Sequence, residues 1–207
     1  MGYPTDCNEA YSYNQTNELK EYYNRALGYN SFLEETNYIL HRKVAEIVDA
    51  QWGDVVGKVL DIGSGTGKLG FEISNIRPKV FIDGIDFSEL LTGEAEKLGV
   101  YNVIFNLDIK GDLSAISEKY DLLVSSGAFS PNHLDANDLI KLISLLNNGG
   151  RAFISVKKNL FEEDDFDSKL QNLVSQGAIG FLRYTEVRIW DSPEYTDTAI
   201  VVNFQKA

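Results

Sequence analysis

The chain has 207 residues, enough for one domain with a sizeable core, and its 43% hydrophobic and 24% charged residues are a globular composition, neither fibrous nor disordered. Thirty-one acidic residues against 19 basic ones leave a net charge of −12, a field that repels phosphate backbones and anionic lipid heads and so argues against nucleic-acid and membrane partners. The single cysteine, Cys7, excludes an intrachain disulfide, no stretch approaches the roughly 20 apolar residues of a membrane span, and no charged-then-apolar leader opens the chain; a cytoplasmic location is the default expectation, and no oligomeric state is implied.

Met1 to Thr16 is polar and flecked with aromatics. Apolar residues then recur at helical spacing from Asn17 to about Tyr29 and from Ser31 to about Trp52, where Leu33, Tyr38, Ile39, Val44, Ile47 and Val48 make one stripe. After Gly57 the rhythm shifts to short β-rich runs: Lys58–Ile62, Val80–Ile85, Asn102–Leu107, Leu122–Ser125 and Arg151–Val156. Helical stretches lie between them. One runs from the capping Ser88 to Leu98 and stops at Gly99; another starts near Asp135 and ends at Gly149-Gly150. A helix near Phe166–Gln176 and two β-rich runs, Phe181–Trp190 and Thr196–Phe204, complete the chain, and the Glu162–Asp165 acidic run reads as a solvated loop and helix start. The pattern predicts an α/β fold: a Rossmann-like, doubly wound, mostly parallel sheet with an antiparallel C-terminal edge hairpin and an N-terminal helical cap. One domain spans 1–207, with residues 1–56 as the cap and 57–207 as the core.

The chemistry concentrates in "KVLDIGSGTGKLG", Lys58 to Gly70. A phosphate loop, G-x-x-x-x-G-K-[ST], fails here, because Ile62 falls on its first glycine and Leu69 on the hydroxyl that must ligate magnesium. The dinucleotide fingerprint G-x-G-x-x-G fits only from Gly65, through Gly67 and Gly70, with the turn beginning two residues late; it stays open as an oxidoreductase alternative. Asp61 decides between readings. A carboxylate inside an apolar strand is costly without a cationic or hydrogen-bonding partner, and S-adenosylmethionine offers an α-ammonium and a sulfonium, whereas a diphosphate would be repelled. Asp86 ends the second β-rich run ("FIDGIDFSEL"), where an acid can accept from both ribose hydroxyls, and Asp108 ends the third ("NVIFNLDI").

"LDIGSGTGKLG" resembles the first motif of class I S-adenosylmethionine-dependent methyltransferases. The resemblance implies a cofactor site of Asp61, Gly63, Ser64, Gly65 and Gly67, with Asp86 on the ribose and Asp108 on the adenine amino group. Phe87, Leu107 and Ile109 are candidates to pack on the ring. "EKYDLLVSSGAF", ending at Phe129, resembles the fourth motif, with Ser126 and Gly127 beside the methionine arm, and "LLNNGGRAFISV" the fifth strand and its approach. Tyr22, Ala26 and Tyr29 fall on the family's Y-D-x-W-A-x-x-Y-D pattern, from which Tyr23, Arg25 and Asn30 depart; Tyr22 and Tyr29 either cover the cofactor or pack one helix face. "GAFSPNHLDANDL", Gly127 to Leu139, is similar to a narrower group, the small methyltransferase-like proteins of the Williams–Beuren syndrome region type. The [ND]-P-P-[YFW] run of enzymes that methylate bases or glutamine is replaced by Ser125-Ser126-Gly127-Ala128.

The resemblance thus implies in-line methyl transfer to a small-molecule acceptor, with no metal. His133 is the candidate base, or else a loop histidine bonded to backbone, and Phe129, Asn132 and Tyr29 are candidate acceptor walls, with Trp190 a wall or a core residue. His41 reads as structural or at the pocket rim. A non-methylating S-adenosylmethionine-binding module and an enzyme using that cofactor for another reaction would carry the same loop and acids.

Overall fold

The structure, a computed structural model, describes residues 28–53 and 57–207. Two helices open it, α1 (Tyr29–Glu35) and α2 (Leu40–Trp52). Then follow β1 (Lys58–Ile62), α3 (Lys68–Ile76), β2 (Phe81–Asp86), α4 (Glu89–Glu96), β3 (Tyr101–Asn106), β4 (Tyr120–Phe129) and α5 (Ala136–Leu142). A 3₁₀ turn, Ile143–Leu145, leads into β5 (Leu146–Lys157), and α6 (Lys158–Glu163), α7 (Phe166–Ser175), β6 (Ile179–Arg188) and β7 (Thr198–Lys206) finish the chain.

The strands form one seven-stranded sheet in the order β3-β2-β1-β4-β5-β7-β6. The first five are parallel, and β7 inserts antiparallel between β5 and β6. The predicted hairpin is therefore present, with its second strand as the inner one. Alternate side chains enter two cores. Leu60, Ile62, Leu123 and Ile154 face α5 and α7 through Leu139, Phe166 and Leu170. Val59, Leu122, Val124 and Phe153 face α2 and α3 through Val44, Val48, Leu69 and Ile73. Both faces of the central strands are buried, as parallel strands under crossover helices require.

Several boundaries differ from the sequence expectation for local physical reasons. The Ser31–Trp52 stripe is two helices, because Thr36–Ile39 leaves helical geometry to pair with the C-terminal region: Tyr38 bridges Trp190, and Ile39 N–H donates to the Ile189 carbonyl at 2.9 Å. The helix expected through Asn148 stops at Leu142, and the amphipathic-looking remainder becomes the 3₁₀ turn and the start of β5. Helix α3 was absent from the expectation because its short "KLGFEISNI" run holds a glycine. The Glu162–Asp165 run, read as a solvated loop and helix start, does supply the start of α7, and its first two residues close the short helix α6. The helix expected over Asn17–Tyr29 lies outside the described residues except for its end.

At the switch point between β1 and β4, where the crossovers reverse, the carboxyl ends of the strands part and a crevice opens. The β4–β5 register shifts between Ser125 and Phe129, so β4 peels away from its neighbour there. Gly127 N–H, which loses its ladder partner, donates to Ser155 Oγ at 3.0 Å instead. Phe129 turns inward beyond this kink and is fully buried, edge-on to Phe166 with ring centroids 6.3 Å apart. It is a core residue, which corrects its expectation as an acceptor wall: residues 125–129 place Ser126 and Gly127 on the crevice and Phe129 on the opposite side. Phe129→Ala should therefore cost about 3–5 kcal/mol of unfolding free energy. Urea titration measures this, and a loss below 1 kcal/mol would return Phe129 to the crevice.

Candidate active site

The crevice encloses about 730 Å³, open solvent at its mouth included, within the range of small-ligand sites. Its floor is the turn after β1. Gly63 and Gly65 both have positive φ, 65° and 52°, and an added Cβ on Gly65 would meet nothing nearer than 4.0 Å. The turn thus needs glycine for its conformation and also leaves bare backbone toward the space. Gly63 N–H and Ser64 N–H donate to the Ile85 carbonyl, at 2.8 and 3.1 Å, which sews the turn to β2.

Asp86, at the end of β2, is 8% exposed, and its carboxylate organises the loop: Oδ2 accepts from Gly65 N–H and Oδ1 from Ser88 N–H, both at 2.9 Å. Burial pushes its pKa up against those two bonds. Phe87 lines the same space, and so does Leu91, on the helix that Ser88 caps. On the far wall stand Asp108, two residues past the end of β3, with Ile109 and Lys110. Asp108 Oδ1 accepts from Lys110 N–H at 2.9 Å, an Asx turn that presents the carboxylate at the rim. From β4 and the following loop come Ser126, Gly127, Ala128, Asn132, His133 and Leu134.

His133 is half-buried, and its Nδ1 lies 3.0 Å from the Pro131 carbonyl. A carbonyl can only accept, so Nδ1 carries the hydrogen and the neutral ring keeps its lone pair on Nε2. Burial lowers its pKa, the nearby Lys110 adding to the effect, so the ring is neutral at pH 7.

A smaller recess of about 370 Å³ adjoins the crevice beyond Gly63 and Gly65. Asp61, Ser64 and Ser126 line it, with Tyr38 and His41 from the N-terminal segment. Asp61 is 1% exposed; Tyr101 O–H donates to its Oδ2 at 2.7 Å, while Oδ1 has no hydrogen-bond partner among the described residues. Ser64 Oγ and His41 Nδ1 are likewise buried without a partner among them. Burial raises the Asp61 pKa to about 7, with the Asp86 charge a further push and the Tyr101 and Gly70 donors opposing it. His41 is driven the other way, to about 4, by burial and by Lys68 and Arg42, and its ring stacks on Tyr38 with centroids 5.6 Å apart.

The structure therefore gathers Tyr29, Gly63, Gly65, Asp86, Phe87, Asp108, Ile109, Ser126, Gly127, Asn132 and His133 at the crevice, and Asp61 and Ser64 at the recess. Two expectations are displaced. Leu107 packs against the core and leaves the crevice wall to Ile109. Gly67 starts helix α3 and packs under Leu98, Tyr101 and Ala95, lining neither space. Trp190, expected as a wall or a core residue, takes the core alternative, buried against Phe32, Tyr38 and Tyr195. Tyr22 lies outside the described residues. Tyr38, Lys110 and Tyr101 were missed: no spacing rule joins them to the glycine loop, since each arrives by tertiary contact. His41, expected at the rim, lines the recess itself.

A doubly wound sheet with a glycine turn after β1 and an acid closing β2 is a nucleoside-binding arrangement. The chain belongs to the methyltransferase-domain family, whose model its residues 54–190 match, and it is of the class I S-adenosylmethionine-dependent type that the sheet order and loop define. It is 26% identical over 117 residues to a malonyl-[acyl-carrier protein] O-methyltransferase of Bacillus anthracis, covering 56% of this chain and 43% of that protein. It is 31% identical over 84 residues to a release factor glutamine methyltransferase of Aliivibrio fischeri, covering 39% and 28%. The match thus spans less than half the length of either curated relative. Among solved structures, a TehB-like SAM-dependent methyltransferase of Corynebacterium glutamicum superposes with a TM-score of 0.62 at 19% identity, covering 93% of this chain and 100% of that one. The plantazolicin methyltransferase BpumL, in complex with a monoazolic desmethylPZN analog and SAH, gives 0.61 at 16%, covering 88% and 89%. At these identities the structural likeness speaks for the fold. Among the described residues no helix is long and apolar enough to cross a membrane.

The raised Asp61 pKa makes a stability prediction. The native state holds this proton more tightly than the unfolded chain, so the group's contribution is complete below about pH 4 and is lost as pH rises through about 7. Asp61→Asn cannot ionise and still accepts from Tyr101. It should be more stable than the unaltered protein at pH 8, by between about 1 and 4 kcal/mol, and equally stable near pH 4. Thermal melts across this range test it, and a variant that is less stable at pH 8 would contradict it.

Proposed function

We propose that the protein transfers the methyl group of S-adenosylmethionine to a small-molecule acceptor. One observation carries the cofactor reading: a fully buried carboxylate oxygen, Asp61 Oδ1, stands without a hydrogen-bond partner among the described residues, beside a bare glycine turn. A buried anion left half-satisfied is costly, and an ammonium group in the recess would complete it. The adenosine portion then fits the crevice, with Asp86 toward the ribose hydroxyls and Asp108, Phe87 and Ile109 about the base. Ser126 and Gly127 lie between the two spaces, beside the methionine arm.

When bound, this cofactor supplies a methyl group already activated by positive sulfur. The chain's own residues need to align the acceptor, exclude water and take up a proton. Alignment and dehydration are worth up to roughly 7–11 kcal/mol in well-oriented systems. His133 is suited to the proton: it is neutral at pH 7, its tautomer is fixed by the Pro131 carbonyl, and it shares the wall with Asn132 and Leu134. The small-molecule reading is supported by the recessed, largely apolar crevice, the net charge of −12 and the Ser125–Ala128 run in place of [ND]-P-P-[YFW]. The likeness to the Williams–Beuren group rests on Gly127–Leu139 alone.

Calorimetry should show binding of S-adenosylmethionine and of its demethylated product. Asp86→Ala should weaken both by about tenfold through lost hydrogen bonds to a charged acceptor. With labelled cofactor and a pool of small metabolites, turnover should appear, should fall by roughly 10²- to 10⁴-fold in His133→Ala, and should leave cofactor affinity unchanged in that variant. Cofactor binding without turnover on any metabolite fraction would argue for a binding module instead of an enzyme.

A further inference from the structure

Asp61 sits on β1 and Tyr101 on β3, with β2 between them, yet their side chains are bonded. The path is built from missing side chains. On β2 the strand passes Gly84, where an added Cβ would stand 3.2 Å from the Tyr101 ring. From above, Gly67 closes to 3.0 Å by the same measure, and at Gly70 a Cβ would collide with the phenolic oxygen itself. The last glycines of the "GSGTGKLG" run line neither the crevice nor the recess; they make a channel that lets the phenol pass beneath the loop. The Gly70 N–H, in the first turn of α3, adds a second pull on the same carboxylate.

We propose that Tyr101 is a positioning residue for the cofactor's amino group: its hydroxyl, threaded under the glycine loop, pins one oxygen of Asp61 and leaves the other to meet the ammonium in the recess. The inference rests on the cofactor reading above and adds a residue, a route and a pH dependence. Tyr101 stays protonated, because burial and the Asp61 charge push its pKa well above the usual value, so it remains a donor throughout. Its bond favours the ionised carboxylate against the desolvation that opposes it. The other groups facing Asp61 are Asp86 from β2, whose oxygens are held by Gly65 and Ser88, and, across the recess, Tyr38, His41, and Lys68, which pairs with Glu34 at 3.7 Å. His41 is already neutral above about pH 5. Asp86 is thus the competing titrating acid, and it lines the crevice, where the ribose would lie, not the recess.

The experiment compares S-adenosylmethionine with 5′-methylthioadenosine, which keeps the nucleoside and lacks the amino-acid arm, by calorimetry from pH 5.5 to 8.5 on the unaltered protein and on Tyr101→Phe. For the unaltered protein, S-adenosylmethionine affinity should rise through about pH 7 as Asp61 ionises. In Tyr101→Phe that rise should move up by about one pH unit, giving roughly tenfold weaker binding near pH 6.5. Affinity for 5′-methylthioadenosine should be the same in both proteins at every pH. Equal losses for the two ligands would mean a merely structural role or titration of Asp86, and superimposed profiles would mean no role; either overturns the proposal. Failure of the unaltered protein to bind S-adenosylmethionine while binding neither ligand overturns the cofactor reading and this inference with it. Should the variant not fold, the Tyr101 hydroxyl proton of the unaltered protein decides the matter by NMR: its shift should titrate with the midpoint of S-adenosylmethionine affinity, and a signal flat across that range overturns the assignment.

Discussion

The desolvation of one carboxylate organises this site. Asp61 lies in the middle of a strand whose neighbours are all apolar, and burial opposes its charge strongly enough to lift its pKa to about 7. Two consequences follow from physics alone. Donors must be brought to it from elsewhere in the fold, and they are: a phenol from β3 and an amide from the first turn of α3. Neither saturates it, and an oxygen left without a partner among the described residues costs stability in the absence of a ligand. A ligand supplying a cation there gains the satisfaction that the fold withholds, which is how a binding site is held at the expense of stability.

The glycine loop has two physical tasks, and they fall on different residues. Gly63 and Gly65 both line the crevice at positive φ; Gly65 leaves bare backbone there, and Gly63 also packs against β4, where a Cβ would stand 2.4 Å from that of Ala128. Gly67 and Gly70 face inward, where side chains would close the channel of Tyr101. A pattern of small residues in a loop after a strand is therefore not evidence that each one touches the ligand. Asp86 joins the two halves, since its carboxylate fixes Gly65 and the start of α4 while its remaining lone pairs stay at the crevice wall.

Fold class and many of the residues that line the crevice and recess were legible in sequence because they rest on local grammar. Alternating β-rich and helical runs, the acid at 61, the glycines at 63 and 65, and the acid at 86 each follow directly from neighbours along the chain. What was not legible depended on tertiary contact or on a break in periodicity. Tyr101 reads as an ordinary β-strand residue until the sheet order puts β2 between it and Asp61. Phe129 reads as the natural continuation of Ser126-Gly127, and only the register shift that peels β4 from β5 sends it into the core. The division of Ser31–Trp52 into two helices follows from pairing with residues 189–191, about 150 positions away, which no window on the helix itself contains.

The β4 side of the crevice is irregular, and the irregularity makes room beside the strand. A fully paired parallel strand ends in a flat row of backbone groups, with no room beside it. Here the β4 ladder breaks between Ser125 and Phe129 before pairing resumes with Val156, Ser155 Oγ takes over the amide of Gly127, and Asn132 adopts a positive φ of 64° to turn the chain back toward α5. His133 is thereby set over the crevice, with its Nδ1 committed to the backbone of its own loop. The segment from Gly127 to Leu134 is anchored by the buried Phe129 and Ser130, while Gly127, Asn132 and His133 stay at least partly exposed along the crevice. The two sides of the crevice are tied together, since Ser125 Oγ donates to the Ile62 carbonyl at 2.8 Å and a Cβ on Gly63 would collide with that of Ala128, so a change on β4 is felt at the glycine turn.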